Sequence, residues 1–222
     1  MTEIASNLNN FRLSAKLMSQ KLMEVDHDLY QDDDLVSHLA NSLQLAYPKA
    51  KPAYWRYRAW QLLIWQPIYL SLLATYKFRQ ELKLDNFKQA LINNSVIVGF
   101  SGLQLSETSN HELHSYSQLQ QKLQHYFFIL NQLGKINKKI GQRLLMDCGL
   151  YGIAQLPNLN NKEKSLIANH WKEHAPDITI SHKIQYSGDI RCNSSELEVI
   201  RDTCCLHYLV QPKQLCSNCP IF

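Results

Sequence analysis

The chain has 222 residues and a mass of 25.8 kDa, enough for one large domain or a domain with a small appendage. A hydrophobic fraction of 45% supplies a real core and argues against disorder, and the net charge of +4 is mild. The N-terminus Met1-Thr2-Glu3-Ile4 has neither a basic nor an apolar leader region, so no signal peptide is expected. The most apolar stretch, residues 62–74, contains Gln66 and Pro67 and is too short to cross a bilayer, so no integral membrane segment is expected.

The elements follow in chain order. Leu8, Phe11, Leu17 and Leu22 recur at near-helical intervals and predict a helix over residues 5–25. The acidic run that follows is a polar break, with Asp33 or Asp34 positioned to cap a helix over 34–46. Pro52 suits the first turn of a longer helix. That helix carries Tyr54, Trp55, Tyr57, Trp60, Leu63, Trp65, Tyr69 and Leu72 on nearly every face, as a central buried helix would. Pro67 should kink it by freeing the carbonyl of Leu63. Residues 89–92 and 96–99 read as two strands around an Asn93-Asn94-Ser95 turn. Helices are expected over 110–133, stopped by Gly134, then over 137–153 and 161–173. Beyond Pro176 the alternation of Ile178, Ile180, His182, Ile184 and Tyr186 predicts a strand, and Ser187-Gly188-Asp189 a turn. The fold class expected is α+β, mainly helical. A helical body over 1–176 would carry a few strands, and residues 177–222 would form a strand-and-loop appendage.

Charge is unevenly placed. Residues 49–83 hold seven basic residues, Arg56 and Arg58 among them, against Glu81 alone. Lys135, Lys138, Lys139 and Arg143 form a second basic stretch. These stretches suit a solvated helix face or an anionic ligand. No nucleic-acid motif accompanies them, and no nucleic-acid partner is expected.

Four of the six cysteines, Cys204, Cys205, Cys216 and Cys219, fall within sixteen residues. Without a secretory signal a cytoplasmic location is expected, where clustered cysteines read as metal ligands before disulfides. Cys216-x-x-Cys219 can place two thiolates on one metal, but neighbours such as Cys204 and Cys205 diverge unless the backbone bends. A binuclear [2Fe–2S] centre relaxes that demand by offering two irons. Zinc is the main rival, although its usual four-cysteine signature has two Cys-x-x-Cys knuckles. A zinc-stabilised binding module, or an iron–sulfur carrier or sensor without its own substrate, therefore stands beside an enzyme. Cys148, in an apolar helical context, reads as a small buried hydrophobe, and Cys192 lacks a partner at ligand spacing.

The block Arg201, Cys204, Cys205, Tyr208, Cys216, Cys219 and Pro220 resembles the FhuF-like ferric siderophore reductases. The aromatic helix with Tyr54, Trp55, Tyr57 and Pro67 is similar less specifically. The resemblance implies a cytoplasmic protein whose [2Fe–2S] cluster, on Cys204, Cys205, Cys216 and Cys219, reduces iron in an imported ferric siderophore. It also implies a small electron donor such as a ferredoxin, and the chain carries no Gly-rich nucleotide loop. His207 and Pro220 would flank the cluster, and Arg56, Arg58, Tyr54 and Arg201 are candidates for substrate contact. Asp202 and Leu209 depart from the family pattern, which favours basic residues there.

Overall fold

The computed structural model describes residues 2–26, 29–92, 96–107, 111–178, 184–193, 196–210 and 219–220. Helix α3 (Pro52–Leu73) is the axis of the molecule. Around it pack α1 (Thr2–Met18), α2 (Asp32–Ala46), α4 (His111–Gln132) and α5 (Lys138–Gln155). Helix α6 (Asn161–His174) covers α5. Tyr54, Trp60, Leu63, Ile64 and Ile68 of α3 are fully buried. Each such leucine or isoleucine contributes about 1.5–3 kcal/mol of apolar burial. The one indole N–H of Trp60 would be costly to bury unpaired, and it donates to the Gly141 carbonyl at 2.9 Å, tying α3 to α5. Helix α3 continues through Pro67 to Leu73 and then loosens into a π-helical turn, Ala74–Phe78, which Arg79 ends at φ 53°.

The mainly helical α+β class is borne out. Strands β1 (Leu29–Tyr30), β3 (Lys88–Ile92) and β4 (Val96–Ser101) form one antiparallel sheet in the order β1-β3-β4. Strands β2 (Glu81–Lys83) and β5 (Gln104–Ser106) form a second. The expected pair around Asn93-Asn94-Ser95 is β3 and β4, and the turn itself lies outside the described residues. A buried polar chain joins these layers. Gln66 donates to the Lys21 carbonyl, Gln89 to Gln66, and the Tyr126 hydroxyl to Gln89, at 2.9–3.0 Å.

Three expectations are corrected. Helix α1 stops at Met18, not at 25, because Ser19 folds the chain back: its carbonyl accepts the Leu22 N–H at 2.9 Å and its hydroxyl the Lys21 N–H at 3.3 Å. Residues 23–25 then bond to Phe100 of β4, and Leu22 is buried without being helical. Helix α2 begins after Gln31, and neither Asp33 nor Asp34 caps it. Both lie with Asp32 in the first turn, where negative charge suits the helix dipole, and Asp32 is drawn to Lys122 at 2.8 Å. The strand expected over 178–186 is absent among the described residues. Ile180 and His182 of that run lie outside the described residues. Ile178 is buried and its N–H donates to Gln142, whose amide donates to the Pro176 carbonyl. Residues 184–188 are irregular, and the chain next enters a hairpin, β6 (Asp189–Asn193) and β7 (Glu196–Ile200). Ile190 and Val199 of that hairpin are buried in the same cluster as the helices.

Helices α5 and α6 touch at Gly149, where an added Cβ would lie 2.0–2.3 Å from the Trp171 indole. That ring is fully buried and its N–H is held by the Met146 carbonyl at 3.1 Å, so it has nowhere to retreat. Gly149→Ala should cost about 2–3 kcal/mol. Thermal unfolding should then fall by about 4–12 °C, and an unchanged melting temperature would contradict this contact.

Candidate metal centre

After β7 the chain turns back over α5 and presents Arg201-Asp202-Thr203-Cys204-Cys205. What holds this turn is Asp147, a buried carboxylate at the middle of α5. Its Oδ1 accepts the Asp202 N–H at 2.9 Å and the Tyr186 hydroxyl at 2.8 Å, and its Oδ2 accepts the Thr203 N–H at 3.0 Å. The Arg201 Nε stands 3.8 Å from Oδ2, while its Nη2 donates to the Thr203 carbonyl at 2.7 Å. Burial pushes the Asp147 carboxyl up to about 6 even against these donors. Burial also works against the Arg201 charge, but Cys205 and Asp147 outweigh it, so its pKa stands above the ordinary value.

Cys204 and Cys219 come together with their sulfurs 3.9 Å apart. The Cys204 sulfur also accepts the Leu206 N–H at 3.3 Å, and Leu206 reaches that geometry in the left-handed region at φ 61°. The short 3₁₀ turn His207–Leu209 follows. Burial, with Cys219 adding to it, pushes the Cys204 thiol up to about 11, so a metal must displace its proton on binding. Cys205 and Arg201 line the same cleft, and the guanidinium charge is favoured by that neighbouring sulfur. Cys216 lies outside the described residues. Among the described residues no three His, Cys, Asp or Glu side chains gather around one point to hold a single ion.

The residues present fit a sulfur-rich group. Two thiol sulfurs already stand at the separation of two ligands on one metal, a backbone amide donates to one of them, and the Arg201 guanidinium shares a cleft with Cys205. The buried hydroxyl of Thr203, next to Cys204, has no partner among the described residues and is a donor available to such a group.

The other expected site residues separate. Arg58 and Arg201 line one cleft of about 340 Å³, together with Cys205, Cys148, Tyr69 and Tyr151. Arg56 lies elsewhere, packed against Gly134, which has φ +149° and lacks the Cβ that would strike the guanidinium. Tyr54 is fully buried and so offers no stacking face to a ligand. Its hydroxyl instead pairs with His207 Nδ1 at 2.8 Å, latching the 3₁₀ turn to α3. Burial raises that phenol to about 12. His207 thereby meets α3, and Pro220 is exposed. Asp202, the departure from the family pattern, is paired with Arg143 of α5 at 3.1 Å. Cys148 is half-buried against the core, and burial pushes its thiol well up. Cys192 is exposed and accepts from Asn161 at 3.2 Å. Sequence reasoning missed Asp147 and Tyr186. The available signal was an acid set inside the apolar run Leu144–Leu150.

The raised pKa of Asp147 has a signed consequence. An acid whose pKa is higher folded than unfolded favours the folded state when protonated. Ionised Asp147 therefore costs about 3 kcal/mol at pH 7, a cost that disappears as pH falls through about 6 toward 4. The urea midpoint of wild type should rise relative to Asp147→Asn between pH 7.5 and pH 5; parallel profiles would contradict the assignment. Tyr54→Phe removes only the hydroxyl bonded to His207 and should cost about 0.5–1.5 kcal/mol in the same measurement.

Residues 201–220 match the family model of the FhuF 2Fe-2S C-terminal domain. The match bears out the FhuF resemblance read from the cysteine block, and it supports a [2Fe–2S] cluster as the cofactor of this segment.

Proposed function

We propose that the protein delivers one electron to Fe(III) in a ferric siderophore, releasing Fe(II). The observation that carries this reading is the cleft beside Cys205, open to solvent and lined by Arg58 and Arg201. A [2Fe–2S] group held by Cys204, Cys205, Cys216 and Cys219 supplies a single electron when bound. The rest falls to the chain. Arg201 keeps a permanent positive charge against the Cys205 sulfur, and Arg58 adds a second across the cleft. Arg58 attracts an anionic iron complex to the cleft that Cys205 lines. Tyr69, which burial holds protonated, lines the same wall as a neutral phenol.

The chemistry of release follows from charge density. Hard oxygen donors of a siderophore grip compact Fe(III) far better than Fe(II), so one added electron frees the metal without any general acid or nucleophile. No helix among the described residues is long and apolar enough to cross a membrane. The reading places the reaction in the cytoplasm with a small protein such as a ferredoxin as the electron donor. Asp202, neutralised by Arg143, does not oppose an anionic substrate.

The test is anaerobic reoxidation of the dithionite-reduced protein by a panel of ferric siderophores, followed by visible absorbance. At least one should reoxidise it rapidly. Failure of every ferric siderophore would leave an iron–sulfur carrier or sensor as the reading. Arg58→Glu should slow reoxidation by an anionic complex about tenfold or more at low salt, and the gap should narrow at high salt. An equal rate at both salts would remove Arg58 from substrate attraction.

A further inference from the structure

We propose that Cys204 and Cys219 share one iron of the binuclear centre, and that Cys205 ligates the other iron, the one on which the added electron settles. Two thiolates on one tetrahedral metal, with bonds of about 2.3 Å, stand about 3.8 Å apart. Thiolates on different irons are further apart, because the iron–iron separation is added. The Cys204 and Cys219 sulfurs stand 3.9 Å apart, the same-metal value. Cys205 follows Cys204 directly, and neighbouring side chains diverge; Cys205 lines the cleft with Arg201, and Cys204 does not.

The two sides then differ in what stabilises negative charge. The Cys204 sulfur receives a neutral backbone amide, Leu206 N–H, at 3.3 Å. Cys205 instead lines a cleft with two guanidinium groups, those of Arg201 and Arg58. A charged donor stabilises an anion about twice as strongly as a neutral one. Arg201 is itself held by the Thr203 carbonyl and by Asp147, so it cannot swing across to the Cys204 side. The extra electron therefore belongs on the cleft-side iron. This rests on the [2Fe–2S] cofactor but not on the identity of the substrate.

The experiment is Mössbauer spectroscopy of ⁵⁷Fe-loaded, dithionite-reduced protein, in which the ferric and ferrous sites are resolved. Cys204→Ser and Cys219→Ser should each alter the ferric site and leave the ferrous site at its wild-type parameters. Cys205→Ser should alter the ferrous site. If Cys204→Ser and Cys219→Ser change different irons, or if Cys204→Ser and Cys205→Ser change the same one, the pairing is overturned. Should the serine variants lose their iron, Arg201→Gln keeps every thiolate. It should weaken the affinity for the electron about tenfold, a fall of about 59 mV in midpoint potential, and shift the ferrous site alone. Arg201→Lys, which keeps the charge, should restore most of the potential. An unchanged potential and spectrum in Arg201→Gln would overturn the localisation. Wild-type protein without a two-iron spectrum would overturn the cofactor and the pairing together.

Discussion

A buried carboxylate in the middle of α5 is the constraint on which the metal centre depends. Asp147 is nearly sealed from water, and burial alone would favour its protonation. It is kept among three donors, two backbone amides of the segment leading to the cysteines and the Tyr186 hydroxyl, with the Arg201 guanidinium 3.8 Å away. Remove it and those donors lose their common acceptor. The amides of Asp202 and Thr203 then have no reason to lie against α5, and the direction of the chain into Cys204 is no longer set. A costly buried charge is thus the device that aims an irregular segment, where neither helix nor sheet hydrogen bonding is available to do so.

The same segment is fixed from a second helix. Tyr54 of α3 reaches His207 just beyond the cysteine pair, so α5 holds the chain before Cys204 and α3 holds it after Cys205. These two helices are locked to each other at Trp60 and Gly141. The position of the sulfurs therefore inherits the rigidity of the core, and the arginine-lined cleft is the space left between α3, α5 and the turn. Substrate attraction, in the proposed reaction, and cysteine placement draw on one piece of scaffold.

Much of this was legible in the sequence where local rules dominate. Pro52 marked a helix start and Gly134 an end, and the starts expected near 137 and 161 fall where the structure caps helices with Asn137 and Asn160, because backbone groups at helix ends must be satisfied nearby in sequence. The cysteine block was legible because metal ligation constrains spacing. What was missed depends on distant partners. Ser19 ends α1 early only because residues 23–25 find Phe100 in β4. Among the described residues of the alternating run at 178–186, Ile178 and Tyr186 bond to side chains of α5 and to no strand. The β6–β7 hairpin alternates over only two short runs, Ile190 and Cys192 in one strand and Leu197 and Val199 in the other, too short to stand out. Tyr54 looked like a ligand platform because sequence gives no sign that its ring is covered. Arg56 and Arg58 looked equivalent, yet two positions along a helix point to different faces.

The left-handed Leu206 has a further consequence. A non-glycine residue at φ 61° stores about 1–2 kcal/mol of strain, and what that strain secures is a peptide N–H aimed at the Cys204 sulfur. Because backbone geometry fixes this dipole, it does not have to rotate into place when charge on the sulfur rises. On the other side, Arg201 is equally anchored, through Thr203 and Asp147. Neither donor depends on solvent rearranging. In the proposed reaction, neither donor would have to move when the charge on its sulfur changes, so the surrounding chain would add little to the cost of moving an electron.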